Sequence, residues 1–183
     1  WKWDGIRAQL IRRGGHVLIW SRGEELITDR FPELAQAGRL LPDGTVLDGE
    51  ILAWQGDRPM CFGDLQKRIT VKNVSRKLME AVPAAFMAYD VLESGGQDVR
   101  SLPLAMRRTL LENLIGNLYA PEDDTPAAEG LNLRIQSADL PLKLSPVLYA
   151  ESWSDLAMLR AQSRDNDAEG LMLKRITSSY QVG

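Results

Sequence analysis

Between residues 5 and 22 apolar and polar positions alternate. Ile6, Ala8 and Leu10 mark one run, Val17, Ile19 and Ser21 another, and Gly14-Gly15 separates them. A period of two on either side of a glycine pair predicts a β-hairpin. Residues 31–37 (Phe-Pro-Glu-Leu-Ala-Gln-Ala) predict a short helix with proline in its first turn. Leu41-Pro42-Asp43-Gly44-Thr45 reads as a turn, and residues 46–54 as a further strand. Short helices are expected over residues 62–68 and 75–82, the second with Ser75 as N-cap and Pro83 as its stop. The apolar run 85–92 has strand length. A longer helix is expected from about residue 102 to 118, with Leu104, Leu110, Leu111, Leu114, Ile115 and Leu118 on its apolar side. Residues 121–130, acidic and proline-containing, read as an exposed loop. Strand is then expected over 140–149, helix over 152–163 with Ser152 or Ser154 as cap, and strand over 170–176.

Strands interrupted by helices, without regular βαβ alternation, indicate an α+β domain of mostly antiparallel sheets with flanking helices. The length of 183 residues suits one domain with a real core. Composition narrows the functions. The net charge of −3 excludes a uniformly basic nucleic acid binder, so any phosphate contacts must be local or come from a neighbouring domain. One cysteine, Cys61, and one histidine, His16, exclude an internal disulfide and a Cys/His zinc site. Both look incidental, with Cys61 a candidate for burial as a small hydrophobe. No segment has the roughly 20 apolar residues of a membrane span. A soluble protein of a reducing cytoplasm is expected, and both chain ends read as cut from a longer protein.

The chemistry centres on Lys2 in Lys2-Trp3-Asp4-Gly5-Ile6-Arg7. A lysine amine attacks only when unprotonated, and a free pKa of about 10.4 keeps most of it protonated at neutral pH. Burial or positive neighbours would lower that value. Trp1 and Trp3 can supply an apolar wall, Asp4-Gly5 a turn with close backbone approach, and Arg7 a fixed cation for phosphate or ribose oxygens. Taken alone, an exposed lysine ahead of a hairpin explains the segment equally well. Four specified positions match by chance roughly once in 10⁵ starting points, so the motif needs company.

It has company in a fixed order: Ser21-Arg22-Gly23, Leu47-Asp48-Gly49-Glu50, Ala88-Tyr89-Asp90-Val91-Leu92 and Glu169-Gly170-Leu171-Met172-Leu173-Lys174. Together with the lysine segment these resemble the successive motifs of the covalent nucleotidyltransferases: DNA ligases, RNA ligases and messenger RNA capping enzymes. The likeness spans essentially the whole chain. Phe62-Gly63-Asp64-Leu65-Gln66-Lys67-Arg68, and Asp98-Val99-Arg100-Ser101-Leu102-Pro103-Leu104 followed by Arg107-Arg108, are similar to ATP-dependent DNA ligases of the bacterial and archaeal kind.

The resemblance implies the ATP-grasp-like ligase fold over residues 1–183, as an adenylation domain lacking an amino-terminal DNA-binding region and a carboxy-terminal OB-fold. It implies that Lys2 takes AMP from ATP and that Glu50 contacts the ribose, as a carboxylate accepting hydroxyl hydrogen bonds can. Tyr89, where many relatives have phenylalanine, would stack on adenine. Arg22 would bind phosphate on the nucleotide or on the 5′ end at a nick, Lys174 would approach phosphate, and Glu169 could hold Mg²⁺. Asp48 is left as structural. The implied substrates are ATP and nicked double-stranded DNA, handled by a monomer. The alternatives are an RNA ligase, a capping guanylyltransferase, or a non-catalytic nucleotide- or DNA-binding module of the same fold.

Overall fold

The computed structural model describes residues 1–71, 73–119 and 140–181. A short strand, β1 (Lys2–Trp3), leads into β2 (Ile6–Arg13), and β3 (His16–Ser21) returns antiparallel to it with Arg13 opposite His16. The turn is Gly14-Gly15, both at positive φ (57° and 81°), a backbone that glycine adopts without steric cost. Asp43 accepts hydrogen bonds from both turn amides, at 3.0 and 3.1 Å. There follow α1 (Pro32–Gly38), β4 (Thr45–Gln55), β5 (Arg58–Pro59), α2 (Phe62–Ile69), α3 (Arg76–Ala81) and β6 (Ala84–Ser94). The rest of the described chain forms β7 (Gln97–Asp98), α4 (Leu104–Tyr119), β8 (Leu142–Leu144), α5 (Trp153–Ala161) and β9 (Ala168–Gly170).

The main sheet runs β3-β2-β4-β6-β7, with β5 added to β4 and β8 to β6. Its pairings are antiparallel except for β8, which runs parallel to β6. A second, two-stranded ribbon pairs β1 with β9. Helices α1, α2 and α4 pack on the main sheet. Between them lies the core, which includes Leu10, Ile19, Phe31, Leu34, Leu47, Ile51, Leu65, Phe86, Leu111 and Ile115. Because strand side chains alternate between faces, Leu47 and Ile51 put β4 on this core while Asp48 and Glu50 stand on the opposite face.

Local signals set the helix ends. Ser75 accepts from the Leu78 amide at 3.2 Å. Of the two candidate caps for α5, Ser152 is the one used, in a reciprocal box with Asp155. One buried charge is part of the core: the Arg68 guanidinium meets the Glu33 carboxylate and the carbonyls of Arg30 and Val82, with the Phe31 ring centroid 5.0 Å away.

Three expectations are corrected. The strand expected over 140–149 is only Leu142–Leu144, because Pro141 and Pro146 bracket it and proline donates no ladder hydrogen bond. The strand expected over 170–176 is instead Ala168–Gly170, with no strand after it among the described residues. Beyond Gly170 the chain turns to α4, where the Ile176 and Ser178 carbonyls accept from the Ala105 and Leu104 amides at 2.9 Å each. These are first-turn amides that the helix itself leaves unpaired. Cys61 is exposed rather than buried and donates to Asp64 at 3.2 Å. The loop expected over 121–130 lies outside the described residues. Among the described residues no helix is long and apolar enough to cross a membrane.

Candidate active site

Two strand irregularities aim the central side chains. Where β4 pairs with β6, Asp48 faces Asp90 and Gly49 faces Ala88, so Tyr89 is the extra residue of a bulge. Where β1 pairs with β9, Lys2 faces Gly170 and Trp3 faces Ala168, which makes Glu169 a second extra residue. Bulges re-aim side chains out of the regular ladder. Lys2 and Glu169 are thereby brought into an ion pair, each about half exposed. The expected apolar wall does not bury Lys2. Trp1 and Trp3 instead line, with Trp54, Met87 and Lys143 among others, a cavity of about 640 Å³ that Lys2 does not border. Trp3 Nε1 also donates to Ser145 Oγ at 3.0 Å, fastening the ribbon to the end of β8.

Gly5 allows the ribbon to sit there. A Cβ on Gly5 would lie 2.3 Å from the Ile51 carbonyl oxygen, 2.7 Å from Leu52 Cδ2 and 2.8 Å from Glu50 Cγ. The close backbone approach expected of Asp4-Gly5 is thus made against β4, beside Glu50.

On β4, Glu50 stands opposite Arg7 and two residues from Asp48. Burial first, and then the charge of Asp48, push the Glu50 carboxyl up to about 7, while Arg7 and Lys2 pull it down. Asp48, buried, takes a bidentate pair from Arg7 (Nε to Oδ1 3.3 Å, Nη2 to Oδ2 2.9 Å) and a hydrogen bond from the Tyr180 hydroxyl at 3.0 Å. Arg7 Nη2 also donates to the Tyr180 oxygen at 3.1 Å. The hydrogen bonds to Asp48, ahead of all other causes, raise the Arg7 pKa. Three of its five guanidinium donors are engaged, and the two on Nη1 remain for a ligand.

The ammonium of Lys174 sits 4.4 Å from the Tyr89 ring centroid, a cation–π contact. Loss of hydration there lowers the Lys174 pKa against the opposing pull of Asp90 and Asp48. Burial raises that of the Tyr89 phenol. Arg22 is exposed, and its amide donates to the Arg7 carbonyl at 3.0 Å, which sets it beside the others at the end of β3.

The structure therefore gathers Lys2, Arg7, Glu50, Tyr89, Glu169 and Lys174, with Arg22 on the rim. It also adds residues that the sequence reading passed over. Asp90 is buried and takes a bidentate pair from Arg107 (Nε to Oδ1 2.8 Å, Nη2 to Oδ2 2.9 Å). Tyr180 reaches in from the segment after Lys174. A signal existed for the first of these: a carboxylate inside an apolar strand needs a cation partner, and Arg107 precedes Leu111 and Ile115 at four-residue spacing.

Two independent likenesses decide the family. A family model of the ATP dependent DNA ligase domain matches residues 1–183. A probable DNA ligase of Opitutus terrae is 38% identical over 192 residues, covering 100% of this chain and 19% of that protein. The chain belongs to the ATP-dependent DNA ligase domain family. Another probable DNA ligase, from Koribacter versatilis, is 36% identical over 184 residues, covering 100% of this chain and 32% of its own length. The crystal structure of the ligase domain from M. tuberculosis LigD superposes with a TM-score of 0.69 at 25% identity, over 99% of this chain and 49% of that one. A mycobacterial DNA ligase D complexed with ATP and MES gives the same TM-score and identity, over 99% and 48%. The fold is thus that of the ligase domains, as expected, and the chain spans a fifth to a third of the length of the curated relatives named here.

For this ligase domain the donor set bears on a metal. Among the described residues there is no group of three or more His, Cys, Asp or Glu side chains able to hold one. Glu169 offers a single accessible carboxylate. That fits Mg²⁺, which commonly takes one or two protein carboxylates and completes its shell with water and substrate phosphate oxygens.

Proposed function

We propose that this chain is the adenylating core of an ATP-dependent DNA ligase. Lys2 Nζ, having lost its extra proton to solvent, attacks the ATP α-phosphorus. A P–N bond forms, the nitrogen gives up a further proton to solvent, the bond to the bridging oxygen breaks, and pyrophosphate leaves with its electron pair. The AMP then passes to the 5′-phosphate of nicked double-stranded DNA, and the 3′-hydroxyl displaces it to seal the strand. Glu50 accepts the ribose hydroxyls and Tyr89 stacks on adenine. Arg7, Arg22 and Lys174 hold phosphate oxygens. Glu169 holds Mg²⁺ when that ion is bound, where it supplies charge neutralisation at the crowded phosphates.

The observation that carries this reading is the convergence of Lys2, Glu169, Glu50 and Tyr89 from four separate strands, and of Lys174 from the segment after β9, onto one site. Lys2 must leave Glu169 to attack, and the half-exposed Glu169 carboxylate would then be available to hold Mg²⁺. We place the protein in the cytoplasm as a monomer, with further segments of the intact protein supplying most contacts to the duplex, in keeping with the net charge of −3.

The test is acid-labile labelling of the intact protein from ATP labelled at the α-phosphate. Wild type takes label, Lys2→Ala does not, and GTP labels neither. Label from GTP would favour a capping enzyme, and no label from either nucleotide would leave a binding module.

A further inference from the structure

The geometry points to Tyr180 as a positioning residue that holds Arg7 in place for the nucleotide, both directly and through Asp48. The inference rests on the nucleotide role proposed for Arg7. Asp48 and Asp90 face each other on β4 and β6, and each takes its own arginine: Arg7 from β2, Arg107 from α4. Tyr180 spans the two pairs. Its hydroxyl accepts from Arg7 and donates to Asp48, at 3.1 and 3.0 Å. Its ring centroid lies 5.9 Å from the Arg107 guanidinium carbon.

The segment carrying Tyr180 is fixed by backbone bonds, so the hydroxyl is delivered by a braced strap. The Tyr180 amide donates to the Arg100 carbonyl at 2.8 Å, and the Ser178 carbonyl accepts from the Leu104 amide at 2.9 Å and from Arg107 Nη1 at 3.2 Å. The strap begins at Lys174, which lies over Tyr89. One continuous segment therefore carries the lysine proposed to hold phosphate and the phenol that contacts Arg7. With Nε and both Nη2 donors engaged, the guanidinium plane is fixed and only the Nη1 donors are left for a ligand. Without the phenol, Arg7 keeps Asp48 but loses the bond that sets its rotation, and Asp48 loses a donor.

The experiment compares Tyr180→Phe, Arg7→Ala and the double variant in the intact protein, measuring KM for ATP and kcat of lysyl-AMP formation together with Tm. Tyr180→Phe keeps the ring and its contact with Arg107. It is expected to raise KM about tenfold, the scale of one hydrogen bond to a charged group, with kcat within about twofold and a Tm near wild type. In the double variant, KM rises no further than in Arg7→Ala, because the phenol acts through Arg7. A Tyr180→Phe protein with unchanged KM beside an impaired Arg7→Ala overturns the inference and leaves the adenylation reading standing. A lowered Tm with unchanged KM does the same and assigns Tyr180 to stability. An Arg7→Ala protein with unchanged KM overturns the nucleotide role of Arg7, and this inference falls with it. Absence of lysyl-AMP in the wild type is the separate failure of the adenylation reading.

Discussion

Lys2 and Glu169 meet across a two-stranded ribbon because Glu169 is the extra residue of a bulge opposite Lys2-Trp3. The nucleophile of the proposed reaction thus starts from an ion pair with the carboxylate proposed to serve the phosphates. Both groups are about half exposed, so the pair itself contributes at most about 1 kcal/mol to stability. Glu169→Gln is expected to leave Tm within a degree or two and to slow lysyl-AMP formation by on the order of 10²-fold. Single-turnover labelling checks it, and a labelling rate equal to wild type at saturating Mg²⁺ contradicts the role.

Glu50 gives a pH prediction. Its carboxyl is raised from 4.5 to about 7 in the fold, chiefly by burial. Between those values the folded state binds more protons than the unfolded one, so stability contributed by the neutral form is lost as pH rises through about 7. Glu50→Gln stays neutral throughout. The variant should melt close to wild type near pH 4.5 and progressively above it toward pH 7.5. Parallel melting profiles would show that Glu50 keeps an ordinary pKa.

Glycine positions separate space from flexibility. Gly5→Ala places a methyl 2.3 Å from the Ile51 carbonyl oxygen, and since that neighbour is backbone the β1–β2 connection must shift. A loss of about 1–3 kcal/mol is expected, with lysyl-AMP formation reduced because Lys2 moves with it. Gly116→Ala is the contrast. It lies in α4 with nothing within 4 Å of its added Cβ, and should stabilise by up to about 1 kcal/mol. Denaturation of both variants tests the pair, and an unchanged Gly5→Ala protein would refute the close approach.

Arg107 and Asp90 form a pair with both side chains no more than 3% exposed. Arg107→Ala strands the Asp90 charge and frees the Leu102 and Ser178 carbonyls that Arg107 also serves. The expected cost is about 3–5 kcal/mol. Arg100→Ala, which breaks an exposed pair with Asp98, should cost nothing measurable by the same melt. Equal Tm values for the two variants would mean that the buried pair is not formed.

The sequence by itself determined what short-range chemistry controls. Gly14-Gly15 placed the hairpin turn, because positive φ is available there at little cost. Ser75 placed one helix start and the Ser152/Ser154 pair narrowed another, because a side-chain oxygen satisfies a free amide. The ordered motifs around Lys2, Glu50, Tyr89 and Glu169 identified the family. Tertiary structure decided what depends on residues far apart in the chain. The parallel docking of β8 on β6 leaves no local pattern. The bulges that aim Tyr89 and Glu169 are differences in register between two strands, which neither strand encodes alone. The raised pKa of Glu50 comes from burial beside Asp48, which the order of residues along β4 does not reveal. Tyr180 had no legible role until folding brought its hydroxyl to Asp48, 132 positions earlier in the chain. Local propensity acts within a few residues, whereas burying a charge requires a partner that only the assembled fold can supply.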